Sequence, residues 1–378
     1  MSHPVLLTVS GVIAPTVVED AAAGRRPRAD YIELARICQA DLIDYAIARR
    51  ESGAVGRLLE RVGGPNLVLA WACFRRRGTY RAILTDGEQI GLLLAGMLKA
   101  RGGPRPRHLM ITHIISVAKK MVFLDWLRVQ SHVDRFLVYA TWQQRFIEQR
   151  WHLPTRRVPL VPFMVDAQFF APGVVPAQPA ARAMICAVGL ERRDYPTLLT
   201  AVDGLEASVM IAAASPWAKQ RDTTEGQVIP GNVTVQRFSQ FELRQLYADS
   251  RFLVMPLYDV EFQAGVTAIL EAMAMGKAVI CSRTAGQTDV IVDGETGIYV
   301  PPGDPAALRA AIQHLLDHPD EAERMGRAGR RVIEERMQLD VYSALIDSRH
   351  PGRAGERVTW CVPAHVAADA RRGADIRA

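Results

Sequence analysis

Hydrophobic and polar positions along this chain switch repeatedly between two periods. Short apolar runs at Val5–Ser10, Asn66–Ala70, Arg81–Thr85, His108–Thr112, Phe136–Tyr139 and Val158–Val161 read as buried strands. Helical spacing recurs between them. Leu34, Ile37, Leu42 and Ile43 predict a helix over Tyr31–Arg50, and Gly87–Ala100 follows Asp86, which can cap it or contact an acceptor. The rhythm restarts at Ala183. Strands are predicted at Ala183–Val188, Ser208–Ala212, Val233–Arg237, Phe252–Pro256, Val279–Ser282 and Ile298–Val300. Helices are predicted at Tyr195–Val202, Gln240–Asp249, Val266–Met275, Pro305–Leu316 and Glu321–Arg336. Strands alternating with helices predict parallel sheets with both faces covered.

The alternation breaks at APGVVPAQPAAR, Ala171–Arg182, a Pro- and Ala-rich run without period. The expected organisation is α/β, with two Rossmann-like, doubly wound parallel-sheet domains. They span 1–170 and 183–349, joined by a linker over 171–182. The Arg-, Ala- and Gly-rich stretch 350–378 has little periodicity and is expected to be a poorly ordered tail.

Composition narrows the function. The chain has 378 residues, enough for two domains, and an apolar content of 49% can fill two cores. A net charge of +6 suits an anionic partner. No zinc finger, RNP-like aromatic motif or dense basic tract is present, which argues against nucleic acid. Five cysteines without a C-x-x-C pair or zinc-like spacing point to a reduced, cytoplasmic protein. No Lys or Arg precedes the apolar start Val5–Val18, which reads as a strand and loop instead of a signal segment. No run approaches the ~20 apolar residues of a spanning helix, so membrane contact is expected to be peripheral if it occurs. Arg75–Arg77 and Lys119–Lys120 fit either such a surface or, preferably, ordinary solvated faces.

The densest chemistry lies between Tyr258 and Asp304. Gly265 opens a helix with the apolar stripe Val266, Ile269, Leu270 and Met273. Glu271 lies off that stripe with Thr267 one turn earlier, in a position expected to face a ligand, although an ordinary solvated helix residue is the alternative. The Gly-containing helix start gathers backbone N–H groups and a positive helix end, a combination that suits a diphosphate.

The run LEAMAMGKAVICSRTAGQTDVIVDGETGIYVPPGD resembles the donor-binding segment of the family 4 glycosyltransferases of the GT-B fold. The resemblance implies two domains facing across a cleft and a nucleotide sugar, most simply a UDP-sugar, as substrate instead of cofactor. It implies transfer with retention of a hexosyl or N-acetylhexosaminyl group to a small-molecule, glycan or lipid-linked acceptor, with no bound metal. In that family two glutamates separated by seven residues contact the ribose and the donor sugar. Glu271 matches the ribose position, and Gln263 stands where the sugar-facing glutamate is expected, with Glu261 two residues earlier. The resemblance further implies diphosphate roles for Arg193 and Arg192 in GLERRDYPTL, donor contacts at Gly265, Val266 and Thr267, and a sugar-facing role for His113 at the end of HLMITH. Gly11 in SGVIAP is the counterpart of a Gly-containing cleft loop. Thr284, Gly286 and Asp289 would shape the sugar pocket, although turn chemistry explains them equally well.

Two rivals remain. A paired-Rossmann oxidoreductase requires G-x-G-x-x-G after an early strand, and SGVIAPTVVE lacks it. A non-catalytic sugar-nucleotide-binding protein or inactive partner is left open by Gln263.

Overall fold

The computed structural model describes residues 5–176, 183–213, 223–224 and 226–348. The 350–378 tail and residues 177–182 of the expected linker lie outside them.

The first half builds β1 (Val5–Thr8), α1 (Val17–Ala22), α2 (Asp30–Ile37), β2 (Ala40–Ile43), α3 (Tyr45–Arg75), β3 (Ala82–Thr85), α4 (Glu88–Arg101), β4 (Arg107–Thr112), α5 (Ala118–Asp125), β5 (Arg135–Val138) and α6 (Thr141–Trp151). The second half builds β6 (Met184–Val188), α7 (Tyr195–Val202), β7 (Ser208–Ala212), β8 (Val233–Gln236), α8 (Gln240–Asp249), β9 (Phe252–Met255), α9 (Val266–Ala274), β10 (Ala278–Ser282), β11 (Gly297–Val300), α10 (Pro305–Asp317), α11 (Pro319–Val332) and α12 (Leu339–Ser348).

The strands form two sheets, ordered β2-β1-β3-β4-β5 and β11-β10-β9-β6-β7-β8. Every strand pairing in them is parallel. This is the expected pair of Rossmann-like domains. Both sheets are sandwiched because their strands are apolar on both faces: β1, β3, β9 and β10 are buried along their whole lengths. Residues such as Leu6, Ile83 and Phe136 are fully enclosed, and each such side chain contributes about 1.5–3 kcal/mol. Chain order reverses between β1 and β3 in the first sheet and between β6 and β9 in the second. Open α/β sheets bind ligands at the carboxyl ends of such switch points.

Several sequence expectations change. Asn66–Ala70 is not a strand. It lies in α3, a helical stretch interrupted at Gly53 and Gly64. A five-residue apolar run carries no period of its own, and its neighbours decide. The predicted helix Tyr31–Arg50 is divided: α2 stops at Ile37, β2 runs along the sheet edge, and Asp44 caps α3 by accepting from Ile47 N–H. Val158–Val161 contributes only an isolated bridge from Leu160 to Val138. The segment expected to end the second domain returns to the first: Leu339, Tyr342 and Ile346 of α12 share a core with Leu7, Leu34 and Leu137, and Tyr342 hydrogen-bonds Tyr139 at 3.1 Å.

Candidate active site

In the second domain the switch point is built from the loop after β6 and the start of α9. Gly189 has φ +100° and Gly265, the residue before α9, has φ +78°, both in the left-handed region that favours glycine. Space constrains them as well. A Cβ on Gly189 would lie 2.5 Å from Nη2 of Arg193, and one on Gly265 would lie 2.7 Å from Sδ of Met255 and 3.4 Å from Cζ of Arg193. The Arg193 guanidinium therefore passes between two bare backbones and reaches the helix start. Arg193 is 5% exposed. Its Nε donates to Val188 O at 2.9 Å and its Nη1 to Glu191 O at 2.6 Å. Among the described residues no carboxylate pairs with it, and burial pulls its pKa below the usual arginine value. No side chain caps α9, so its first-turn N–H groups stay available beside this unpaired cation. Arg192 is exposed with φ +58°, and its carbonyl accepts from Tyr258 N–H at 3.1 Å.

Glu271 does not lie on a free face. It is 5% exposed, within a helix whose residues from Ala268 to Ala274 are all buried. Its Oε2 accepts from the Tyr247 hydroxyl of α8 at 2.8 Å. Burial pushes its pKa up to about 7, against the Tyr247 hydrogen bond. Val266 is likewise a core residue, leaving only its backbone for a ligand, whereas Thr267 is exposed. Glu261 is exposed, and Oε1 of Gln263 is buried without a partner. The loop after β10 packs over this segment. A Cβ on Gly286 would meet Phe262 O at 2.2 Å, and Gln287 Nε2 donates to Ala264 O at 2.8 Å. Thr284 Oγ1 and Gln287 Oε1 are also buried and unpartnered.

In the first domain the ends of β1 and β3 are tied by Asp86. Its carboxylate accepts from Thr8 Oγ1, Ser10 N and Ser10 Oγ, each at 2.5 Å. Asp86 is thus no helix cap: Gly87 occupies that position, and no side chain caps α4. Burial raises the Asp86 pKa against these hydrogen bonds. Asp30, at the start of α2, is raised by burial and by Asp86, with the Tyr31 backbone N–H and His113 opposing. His113 is exposed, and Nε2 contacts the Asp86 carbonyl at 3.0 Å. That contact makes Nε2 the proton donor and leaves Nδ1 for other partners. Its backbone N–H donates to the buried Glu88 at 2.9 Å. Burial alone would raise the Glu88 pKa, but Lys120 (2.5 Å away), His113 and the backbone together hold it below the usual range. Lys120 therefore fixes the His113 loop. The Arg75–Arg77 cluster is also structural: Arg76 pairs with Glu51, and the Arg77 guanidinium lies 4.2 Å from the Phe74 ring centroid. A Cβ on Gly11 would meet nothing within 4 Å, so packing gives no steric reason for glycine there.

The structure therefore gathers Arg193, Gly265, Val266, Thr267 and the 261–263 loop at one strand edge, and places His113 and Gly11 at the edge of the other sheet. Sequence reasoning missed Ser10, Asp30, Glu88 and Tyr247. Ser10 carried a usable signal, since it ends the predicted first strand Val5–Ser10. Tyr247 carried none, because its partner is 24 residues away. Among the described residues no group of three or more His, Cys, Asp or Glu could hold a metal, and no helix is long and apolar enough to cross a membrane.

Comparison with known proteins defines the class first. The fold is the two-domain GT-B arrangement. Sucrose-phosphate synthase from Thermosynechococcus elongatus superposes with a TM-score of 0.65 at 18% identity, covering 91% of this chain and 97% of that one. Anabaena HepE, solved with UDP and glucose, gives 0.64 at 14% identity, covering 91% and 98%. In sequence, residues 187–318 match the family described as Glycosyl transferases group 1, a stretch that includes every second-domain residue of this candidate site. D-rhamnosyltransferase WbpZ of Pseudomonas aeruginosa is 33% identical over 132 residues, 34% of each chain. Glycogen synthase of Mycobacterium tuberculosis is 28% identical over 183 residues, 48% of this chain and 40% of the relative. The chain thus spans less than half the length of these curated relatives.

Proposed function

We propose that this protein is a retaining glycosyltransferase of family 4 that moves a hexosyl or N-acetylhexosaminyl group from a UDP-sugar to a small-molecule, glycan or lipid-linked acceptor. The observation that carries this reading is Arg193: a buried guanidinium that pairs with no carboxylate among the described residues, set between Gly189 and Gly265 at the uncapped start of α9. When the glycosidic bond breaks, negative charge gathers on the leaving diphosphate. A fixed cation and oriented N–H groups stabilise that charge more than the ground state, and one such donor contributes about 2.7–4 kcal/mol. The leaving phosphate then accepts the acceptor's proton on the same face, so no protein nucleophile is required. The Gln263 oxygen reads a sugar hydroxyl, Glu271 receives the ribose hydroxyls, His113 faces the donor sugar, and the edge at Asp86 receives the acceptor. Only Gln263 argued for a non-catalytic binder, and a neutral amide still accepts such a hydroxyl.

The test is a thermal-shift screen of UDP-, GDP- and ADP-sugars, followed by transfer assays read by proton NMR of the anomeric position. A bound donor raises Tm by mass action. Stabilisation by one nucleotide class, nucleotide release with an acceptor, and an unchanged anomeric configuration are expected. Absence of any nucleotide-dependent shift overturns the reading, and inversion overturns retention.

A further inference from the structure

A cavity of about 500 Å³ lies between α1 and α2 of the first domain, the segment 166–174, and α8 of the second. It shares no lining residue with the donor-side residues above. Val17, Ile32 and Phe169 give it an apolar wall, and three guanidinium groups, from Arg26, Arg28 and Arg244, reach it. Two carboxylates also line it, and both are engaged. Asp166 pairs with Arg28 at 3.0 Å, and Glu33 pairs with Arg36 at 3.0 Å. Arg28 holds Asp340 as well, at 3.0 Å.

Arg26 and Arg244 differ. Among the described residues neither pairs with a carboxylate, and both have an Nε that is buried without a hydrogen-bond partner. Arg244 is 6% exposed. Its Nη2 donates to the Gly24 carbonyl at 3.2 Å. Its guanidinium lies over Phe169 and Phe241, with centroids at 4.0 and 4.5 Å. Ring faces steady a cation but neither neutralise it nor accept from the edge-on Nε–H. A buried guanidinium that lines a cavity and, among the described residues, pairs with no carboxylate is costly unless an anion completes it.

We propose that this cavity binds a small amphipathic anion, with a carboxylate or phosphate head held by Arg244 and Arg26 and an apolar body against Val17, Ile32 and Phe169. Arginine's planar donors suit either head group, and the volume falls in the range of small-ligand sites. Because α1 and α8 belong to different domains, the occupant also bridges them.

Isothermal titration calorimetry with octanoate and octyl phosphate, against octanol and inorganic phosphate, tests this. One-to-one binding of at least one anionic octyl probe is expected. Octanol and phosphate alone are expected to bind about ten-fold more weakly or worse, since each lacks half of the recognised chemistry. Arg244→Met keeps the apolar stem and removes the charge. It should weaken the anion about ten-fold or more and leave the UDP-glucose thermal shift intact. Should that variant fail to fold, Val18→Glu decides: Val18 lines the cavity and is 56% exposed, so a carboxylate there is tolerated by folding and repels the anion. Binding of neither octyl anion, or equal binding by wild type and the folded variant, overturns the proposal. The readout is binding at a separate site, so its failure leaves the donor reading untouched.

Discussion

Asp289, in the loop after β10 of the second domain, caps a helix of the first domain. Its carboxylate accepts from the backbone N–H of Thr141 at 2.8 Å and from the Thr141 hydroxyl at 2.6 Å. Thr141 is the first residue of α6, which has no cap of its own because Ala140 precedes it. The loop that holds Gly286 and Gln287 against the 262–264 backbone therefore also reaches across to the opposite domain. One segment thus touches both the 262–264 backbone and the start of α6.

Asp289→Ala should separate these effects. Loss of an N-cap costs about 1 kcal/mol, a fall of roughly 1–2 °C in Tm for a chain of 378 residues. Small-angle scattering should show a larger radius of gyration without donor, with part of the difference recovered on adding UDP-sugar. An unchanged Tm together with an unchanged radius would show that this contact does not hold the domains.

Arg193→Met should lower kcat by about 10²–10³, the effect of removing one preorganised donor to developing charge. Arg193 also ties Val188 and Glu191 carbonyls, so some stability is lost with it. Comparing Tm with kcat, and UDP-sugar binding with both, separates the roles. A folded Arg193→Met enzyme with near-normal turnover would move the phosphate role elsewhere.

The two-domain architecture was legible because parallel strands buried on both faces leave continuous apolar runs, as in Ala278–Ser282, and helices such as Pro305–Asp317 keep a clean stripe. The candidate site was legible where backbone geometry forces residue type: Gly265 must be small because Arg193 and Met255 crowd it. Glu271 shows the limit. Its position off the apolar stripe suggested exposure, yet α8 covers that side with Tyr247, a tertiary contact without a local signature. Edge strand β2 was hidden for a related reason. Its residues are mostly half-buried, so ADLI kept the helical pattern of its neighbours.

The proposed ribose role of Glu271 predicts that donor binding is pH-dependent. Burial raises its pKa to about 7, above the ordinary glutamate value of about 4.3. Between those values the unfolded chain has released a proton that the native protein retains. Stability from this group therefore falls as pH rises from about 4.3 to 7 and is constant above. Donor binding runs the other way, because the carboxylate accepts from both ribose hydroxyls with two charged oxygens, whereas the acid turns one oxygen into a donor and accepts more weakly. Affinity for UDP-glucose, whose diphosphate does not titrate near neutrality, should drop as pH is lowered below about 7. Glu271→Gln should weaken binding and flatten the profile. Tyr247→Phe removes a hydrogen bond to the carboxylate and should shift the step to higher pH. A flat wild-type profile between pH 5.5 and 8.5 would separate Glu271 from the donor.

Gln263 offers the sharpest distinction between sugar and nucleotide recognition. Among the described residues its Oε1 is buried without a hydrogen-bond partner, so the acceptor is largely desolvated before any ligand arrives. A sugar hydroxyl that donates to it recovers a hydrogen bond already lost to water, while a ligand lacking that hydroxyl gains nothing. Gln263→Met keeps the length of the side chain and removes the orphaned acceptor. Replacing an unsatisfied buried polar group by an apolar one should leave Tm unchanged or slightly higher. Binding of the UDP-sugar should weaken by about ten-fold, the size of one hydrogen bond to a buried group, and UDP alone should bind as before. Gln263→Glu, which demands burial of a charge at the same place, should instead change which sugar is preferred. Equal weakening of UDP and UDP-sugar by Gln263→Met would place this residue on the nucleotide and overturn its assignment to the sugar.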